Sequence, residues 1–193
     1  ANGDGELVYG ALADTAANLV TGAGANAYVV AGTDVEVTGA ATIAELAALD
    51  AANGDGDLEY AGVADALANL FVEGEVSPFV TPGTDVEVIG AATLGQLAAL
   101  DAANGGGELA YGSIADTAAN LAAGGGASAY VVAGTDVAVA GTATIAQLAA
   151  LDAANGDGEL SYGSVADALA NLFANGGAHP YIVPGTDVAA TGT

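Results

Sequence analysis

A repeat of 51 residues runs through the whole chain and constrains its fold more than any other feature. AANGDGDLEY begins at Ala51, AANGGGELAY at Ala102 and AANGDGELSY at Ala153, with no insertion or deletion between them. Four copies, the last of them shortened, cover residues 1–51, 52–102, 103–153 and 154–193. Because a fixed period leaves no room for an insertion inside a packed turn, we predict one continuous repeat array over residues 1–193.

The first three copies each contain a pattern that is typical of a helix start. A threonine precedes an apolar run, and Glu or Gln follows three residues later, so that both side chains can cap amides of the first turn. These pairs are Thr42 with Glu45, Thr93 with Gln96 and Thr144 with Gln147. We predict a helix that ends near Asn53 and its equivalents, because an Asn-Gly-Asp-Gly turn cannot continue it.

A second apolar periodicity predicts another helix in every copy. In copy two, Val63, Leu67, Leu70 and Phe71 have the spacing of an apolar helical stripe. The equivalent helices are expected to begin near Ala11, Gly62, Ser113 and Ser164. An aspartate would then lie in the first turn of each, where it is favourable with the helix dipole. These aspartates are Asp14, Asp65, Asp116 and Asp167.

Short β-rich segments flanked by glycine separate the predicted helices. In copy one they are Leu7–Tyr9, Tyr28–Val30 and Val35–Val37. Pro82-Gly83 and Pro184-Gly185 suit the centres of type II turns, which would form corners between strands. Alternating strands and helices favour a parallel sheet. The expected fold class is α/β: a repeat solenoid with short parallel strands and alanine-rich helices, and two strand–helix turns in each 51-residue copy.

The charge of the chain excludes several classes of partner. It has 24 Asp and Glu residues, no Lys and no Arg, which gives a formal net charge of −24 at pH 7. Without a basic residue it cannot neutralise phosphates, so nucleic acid is excluded as a partner. No apolar run has the length of a membrane span. With no Cys and a single His, the usual metal thiolates and nucleophile–base pairs are missing, and we do not expect an enzyme.

The sequence resembles tandem repeats of very large secreted surface proteins of bacteria, especially cyanobacteria and proteobacteria. The shared pattern is a segment like TIAQLAALDAANG, a short Leu-x-Tyr strand and then DTAANL, and it covers the whole chain. The resemblance implies an acidic, cysteine-free extracellular or cell-surface protein of the adhesin, surface-layer or matrix type, often dependent on calcium. The nonapeptide calcium repeat of such proteins is absent from this sequence.

Aspartates at equivalent positions are the candidate ligands for a cation. They are Asp34, Asp85, Asp136 and Asp187 in Gly-Thr-Asp segments, and Asp55 and Asp157 in the Asn-Gly-Asp-Gly loops. Stacked copies would bring carboxylates to about 10 Å from one another, roughly one Debye length at 0.1 M salt. We therefore predict weak, multivalent calcium binding. The alternative is that each aspartate only bonds the backbone of a turn.

Two rows of aromatic residues follow the same period. They are Tyr9, Tyr60, Tyr111 and Tyr162 in one row, and Tyr28, Phe79, Tyr130 and Tyr181 in the other. One interpretation is a stripe that binds carbohydrate. The other, which we favour, is a set of strand residues that hold the register between copies. His179 is expected in a solvated loop, since its equivalents are polar loop residues.

These observations predict a structural or interaction segment of an extracellular repeat protein. Uncapped solenoid ends associate readily, so we expect head-to-tail or lateral assembly of copies of the chain into a filament or surface layer. The alternative is an adhesive module that binds surface glycans or calcium through the Tyr and Asp rows. A carboxylate-based, glycan-active β-solenoid enzyme is a minor alternative.

Overall fold

The computed structural model describes residues 7–192 and shows a mixed α/β protein with a large parallel sheet. The strands are β1 (Ala11–Asp14), β2 (Val20–Thr21), β3 (Gly24–Ala25), β4 (Asp34–Ala41), β5 (Leu58–Ala66), β6 (Phe71–Val72), β7 (Glu75–Val76), β8 (Asp85–Ala92), β9 (Leu109–Thr117), β10 (Asp136–Ala143), β11 (Leu160–Asp167), β12 (Phe173–Ala174), β13 (Gly177–Ala178) and β14 (Asp187–Ala190). The helices are α1 (Ala16–Leu19), α2 (Ile43–Asn53), α3 (Leu94–Asn104), α4 (Ala118–Leu121) and α5 (Ile145–Asn155), with a short 3₁₀ helix at Ala123–Gly125.

Within residues 7–192, eight of these strands belong to the parallel sheet and the other six form short antiparallel hairpins. The sheet strands are β1, β4, β5, β8, β9, β10, β11 and β14. The chain divides into two compact units, of which the first contains Ala1–Ile89 and Ala99–Ala110. The second contains Gly90–Ala98 and Tyr111–Thr193. No helix of the described residues is long and apolar enough to cross a lipid bilayer.

The first unit contains the strand order β1-β4-β5-β8, and its core lies between α2 and one face of these strands. Strand β4 alternates buried and exposed residues over its first half, with Val35 and Val37 buried. Val63 of β5 and Leu46 and Leu49 of α2 are also buried. Fully burying a Leu or Val side chain stabilises a fold by about 1.5–3 kcal/mol, so this layer supplies the main apolar stabilisation of the unit.

The second unit contains the strand order β9-β10-β11-β14 and repeats this packing with α5. Ile114 of β9, Val137 of β10 and Val165 of β11 are buried against the helix side of the sheet. Leu148 and Leu151 of α5 are fully buried. The opposite face of the strands carries no helix among the described residues and exposes alternate side chains to solvent.

The capped helices were predicted correctly. The Thr42 hydroxyl accepts from the Glu45 amide, the Glu45 carboxylate accepts from the Thr42 amide, and α2 ends at Asn53. The same reciprocal bonds join Thr93 with Gln96 and Thr144 with Gln147. The strand predicted at Val35–Val37 lies within β4.

The predicted type II turn at Pro82-Gly83 is also confirmed, although only the segment after it, β8, is a strand. Gly83 has a φ of 93°, and the Thr84 amide donates to the Thr81 carbonyl at 2.9 Å. This is the geometry of a type II turn, in which only a residue without a Cβ adopts the third position readily.

The second helix of each copy was predicted wrongly. The residues after Ala11, Gly62, Ser113 and Ser164 form strands of the parallel sheet, and the following connection holds at most a single helical turn. Val63 and its β-branched equivalents are buried in the sheet, where extended backbone bonds a neighbour on each side. Each of the first three copies therefore has one long helix instead of two, and the second connection of a copy includes a hairpin such as β6–β7 or a short helical segment.

Two of the predicted strands are likewise absent. Leu7–Tyr9 and Tyr28–Val30 have no strand partner among the described residues, whereas Leu58–Tyr60 of copy two lies in β5. The sheet strands are also longer than expected, since β4, β8 and β10 each have 8 residues.

Candidate functional site

Three of the four aspartates expected inside a second helix instead cap the long helices from the adjacent strand, whereas Asp14 accepts from the Thr15 amide and the Asn18 side chain. In the first unit, Ile43 is the first residue of α2, and its amide donates to one oxygen of Asp65 at 3.0 Å. The other oxygen accepts from the Ala66 amide and from the Asn69 side chain, both at 2.7 Å. A carboxylate at a helix N-terminus satisfies an orphan amide and complements the dipole.

The second unit repeats this arrangement twice. Asp116 accepts from the Leu94 amide of α3 at 3.1 Å, and Asp167 accepts from the Ile145 amide of α5 at 3.0 Å. Each is also bonded by an asparagine four residues later, Asn120 or Asn171. The spacing of 22 residues between helix start and aspartate crosses from one strand to the next, so sequence periodicity alone does not reveal it.

These bonds make part of the folding stability dependent on pH. The Asn171 side chain lowers the pKa of Asp167 from its ordinary 3.8; burial opposes this, and the Ile145 and Ala168 amides lower it further. A carboxylate with a lowered folded-state pKa stabilises the fold above the unfolded value and loses that contribution as the pH falls through the folded value.

We therefore expect Asp167→Asn to destabilise the protein most near neutral pH, and less as the pH falls below 3.8. The measurement is urea unfolding of both proteins over a pH series. Taking the difference between them removes the general effect of neutralising the other carboxylates. A difference in unfolding free energy that stays constant from neutral pH to below that value would contradict this assignment.

Three of the six aspartates predicted to bind calcium accept hydrogen bonds from backbone amides. Asp34 accepts from the Asp57 amide at 3.0 Å, and Asp85 accepts from the Glu108 amide at 2.8 Å. In the second unit, Asp136 accepts from the Glu159 amide at 2.8 Å. The donating amides lie in the loop before the next strand, 23 residues away, and not in the turn that contains the aspartate.

Asp187 has the same position in β14, paired in register with Ser164, and is exposed. Asp55 and Asp157 are exposed in the loops after α2 and α5. Over residues 7–192, no three or more His, Cys, Asp or Glu side chains are grouped as a metal site. Calcium binding by these six aspartates stays a prediction.

The loop after each long helix packs tightly against the turn before the preceding strand. Gly56, Gly107 and Gly158 lie so close to the carbonyls of Thr33, Thr84 and Thr135 that an added Cβ would overlap main-chain atoms. The preceding asparagine of each loop is buried, and its side-chain amide donates to the carbonyl of that glycine. The Asn-Gly-Asp-Gly pattern predicted the end of a helix and a weak calcium site, but it did not predict this close approach of two backbone segments.

The aromatic rows form pairs within each copy. In the first unit, the Tyr60 hydroxyl donates to the Phe79 carbonyl at 2.9 Å, and the two rings lie 6.3 Å apart at 63°. In the second unit, the Tyr162 hydroxyl donates to the Tyr181 carbonyl at 2.8 Å, with rings 6.4 Å apart at 80°. The pairs join a strand end to a turn and use the hydroxyls internally. Their edge-on rings do not form a flat platform of the kind that stacks on a sugar.

His179 stacks on Tyr181, with ring centroids 5.2 Å apart, and its Nδ1 accepts from the Tyr181 amide. The Tyr181 hydroxyl donates to Asp152 at 3.0 Å. The pKa of Tyr181 is raised to about 12, mainly by burial and next by the Asp152 carboxylate. The phenol therefore remains a proton donor at physiological pH, and the cluster lacks an activated nucleophile.

The open face of the sheet carries shallow grooves that recur from copy to copy. In the first unit, one groove of about 330 Å³ is lined by residues that include Ala13, Asp34, Glu36, Asp57 and Glu59. The equivalent groove in the second unit has about 170 Å³ and keeps only two of these four carboxylates, at Asp136 and Glu159. A glycosidase needs two carboxylates at a fixed separation. These grooves are lined largely by small side chains, and two of the four carboxylates of the first groove are missing from the second.

The outer strands of the sheet are the remaining candidate site. Strand β1 is bonded to β4 and strand β14 to β11, and in the part of the chain that the structure describes each is the last strand of the sheet at its side. Leu7 and Val8, just before β1, and Val188 of β14 expose large apolar side chains. These edges are able to pair with further strands. No protein-family model, curated protein or solved structure matches this chain.

Proposed function

We propose that the chain is a structural segment of an extracellular repeat array that associates with further copies through its outer strands. Its 51-residue repeats would stack as an α/β repeat solenoid, in which a full repeat has one strand–helix turn and a second turn that contains a hairpin or a short helical segment. The extracellular or cell-surface location rests on the resemblance of the repeat to segments of secreted surface proteins. The outer strands carry the proposal, because within residues 7–192 each bonds a strand on one side only and lies beside exposed apolar side chains.

Support for the stacking comes from the register of the strands in each unit. Val35 pairs with Leu58 in the first unit, and Val137 pairs with Leu160 in the second. Likewise, Val63 pairs with Val86, and Val165 pairs with Val188. The same residues of the repeat meet each time, so successive copies use one set of contacts, as in a solenoid.

Support for association comes from the difference between inner and outer strands. Val35 and Val137 are 2% and 1% exposed, whereas Val188 at the equivalent position of β14 is 47% exposed. Another strand against β14 would bury this side chain and pair its outer backbone groups. No other role is favoured by a specific contact among the described residues: the Tyr60 and Tyr162 hydroxyls bond carbonyls of their own copy, and the recurring grooves are shallow.

The proposal predicts that the average molecular mass measured in solution rises with protein concentration, because chains associate. Since each 193-residue chain carries a formal net charge of −24 at pH 7, association should strengthen with added salt, which screens the repulsion between chains. Sedimentation equilibrium over a concentration series, with electron microscopy of the same samples, measures this. Calcium and chelator at equal ionic strength separate an ion-specific effect from screening. A monomer at every concentration and salt level would overturn the proposal.

A further inference from the structure

Residues 7–192 contain four Asn-Gly sequences, and the fold buries three of the four asparagines. Asn53, Asn104 and Asn155 are 0%, 1% and 0% exposed. Each of their side-chain amides donates to the carbonyl of the glycine three residues later. The backbone amides of Gly54 and Gly105 donate to carbonyls in the last turn of the preceding helix. These asparagine side chains are therefore held in place and shielded from water.

The fourth sequence, Asn175-Gly176, forms the turn between β12 and β13. Asn175 is exposed, and neither its side chain nor the Gly176 amide has a hydrogen-bond partner among the described residues. The two residues have φ values of 51° and 84°, as in the two-residue turns that favour Asn-Gly. Here an Asn-Gly sequence meets solvent with both of its amide groups unengaged.

The hairpin that contains this turn is short enough to open locally. Two residue pairs join its strands, the outer one between Phe173 and Ala178. Among the described residues, no third strand pairs with β12 or β13. A two-stranded hairpin is marginally stable by itself, and such segments open at a small cost in free energy. The Asn175 side chain and the Gly176 backbone can therefore rotate toward each other while the parallel sheet stays folded.

We propose that Asn175 is a modification site that deamidates selectively in the folded protein. The Gly176 backbone nitrogen gives up its proton to the solvent and attacks Cγ of Asn175. The bond from Cγ to Nδ2 breaks, Nδ2 takes up a proton and leaves as ammonia, and a cyclic succinimide remains. Water then adds to either carbonyl of the succinimide and opens the ring. One opening gives aspartate, and the other gives isoaspartate, in which the main chain runs through Cβ and Cγ.

The glycine that follows Asn175 is needed for this reaction. The attacking nitrogen belongs to a residue without a side chain, so its approach to Cγ is not crowded and its backbone turns easily. The asparagines of the described chain that lack a following glycine are followed by Leu or Ala, whose side chains hinder the approach. They are Asn18, Asn26, Asn69, Asn120 and Asn171. Sequence therefore restricts the reaction to Asn-Gly, and the fold restricts it further to Asn175.

The test follows the four Asn-Gly sequences of the full-length protein during incubation in warm, mildly alkaline buffer. Because the chain has no Lys or Arg, chymotrypsin takes the place of trypsin in peptide mapping. Cleavage after Leu, Phe and Tyr places each sequence in a peptide of its own: residues 50–58, 101–109, 152–160 and 174–181. Mass spectrometry detects the change from amide to carboxyl group, and chromatography separates aspartyl from isoaspartyl peptides.

We expect Asn175 to be modified at least about tenfold faster than any of the three buried asparagines, because only its turn opens without disrupting the sheet. Comparable rates at all four positions in the folded protein would refute the proposal. So would an unmodified Asn175 after a period in which the unfolded protein reacts fully.

Two controls distinguish the effect of the fold from that of local sequence. In urea that unfolds the protein, the four sequences should react at similar rates, because the shielding contacts are gone. If Asn175 remained as selective in urea as in buffer, the fold would not be the cause, and the proposal would fail. Asn175→Glu should abolish the modification of its peptide and leave thermal unfolding unchanged, since copy two has Glu73 in the equivalent turn with a φ of 54°.

Discussion

Replacing Gly107 by alanine is expected to destabilise the protein by more than about 3 kcal/mol, or to prevent folding. The Cβ of alanine would overlap the Thr84 carbonyl, which belongs to rigid backbone and cannot rotate away like a side chain. To relieve the overlap, the loop would have to move outward. That movement would stretch the bonds from the Gly83 amide to the Asn104 carbonyl and from the Val86 amide to the Glu108 carbonyl, both 2.7 Å long.

The neighbouring glycine is a matched control. Gly106 has no atom within 4 Å of the position of an added Cβ, and it is not among the glycines with positive φ. Gly106→Ala should therefore change the unfolding free energy by less than about 0.5 kcal/mol. Urea unfolding of both variants, followed by circular dichroism, measures the difference. Equal stability of the two variants would show that the loop does not approach the Thr84 turn as described.

Asp65→Ala is expected to cost about 2 kcal/mol of unfolding free energy. The substitution removes an acceptor for three donors: the Ile43 amide at the start of α2, the Ala66 amide and the Asn69 side chain. Asp65 is only 6% exposed, so water does not easily replace the lost carboxylate. The loss should appear as a lower urea midpoint with a similar slope.

Asp57→Ala is the charge-matched control for this experiment. Both substitutions remove one of the 24 acidic residues and relieve the same general repulsion, but the Asp57 side chain is exposed. The Asp57 amide, which donates to Asp34, is retained in the alanine variant. We expect this control to be neutral or slightly stabilising. If Asp65→Ala were equally neutral, the capping role of this aspartate would be disproved.

The helix prediction succeeded where the signal was local. A threonine and a Glu or Gln three residues later satisfy each other's amides within one turn, so Thr42 and Glu45 specify the start of α2 without distant residues. The prediction of a second helix failed because Val63 and Leu70 are buried for reasons of tertiary structure. Val63 lies in a strand paired on both sides and Leu70 in the following turn, although their spacing also matches a helical stripe.

The candidate site shows the same division. The repeat predicted which aspartates are equivalent, but their backbone partners lie 22 or 23 residues away, at the start of a helix or in the loop before the next strand. That distance is closed by the parallel register, which depends on the packing of strands and helix together. The β14 edge became apparent only when its exposed Val188 could be compared with the buried Val137.

The sequence by itself determined the 51-residue period, the position of the long helices and the excess of negative charge, because each depends on neighbouring residues or on composition. Only the tertiary structure decided that the second apolar segment is a strand, that Asp65 caps a helix it does not belong to, and that Gly107 must lack a side chain. These features arise where segments distant in sequence meet, and the free energy of their contacts outweighs local conformational preference.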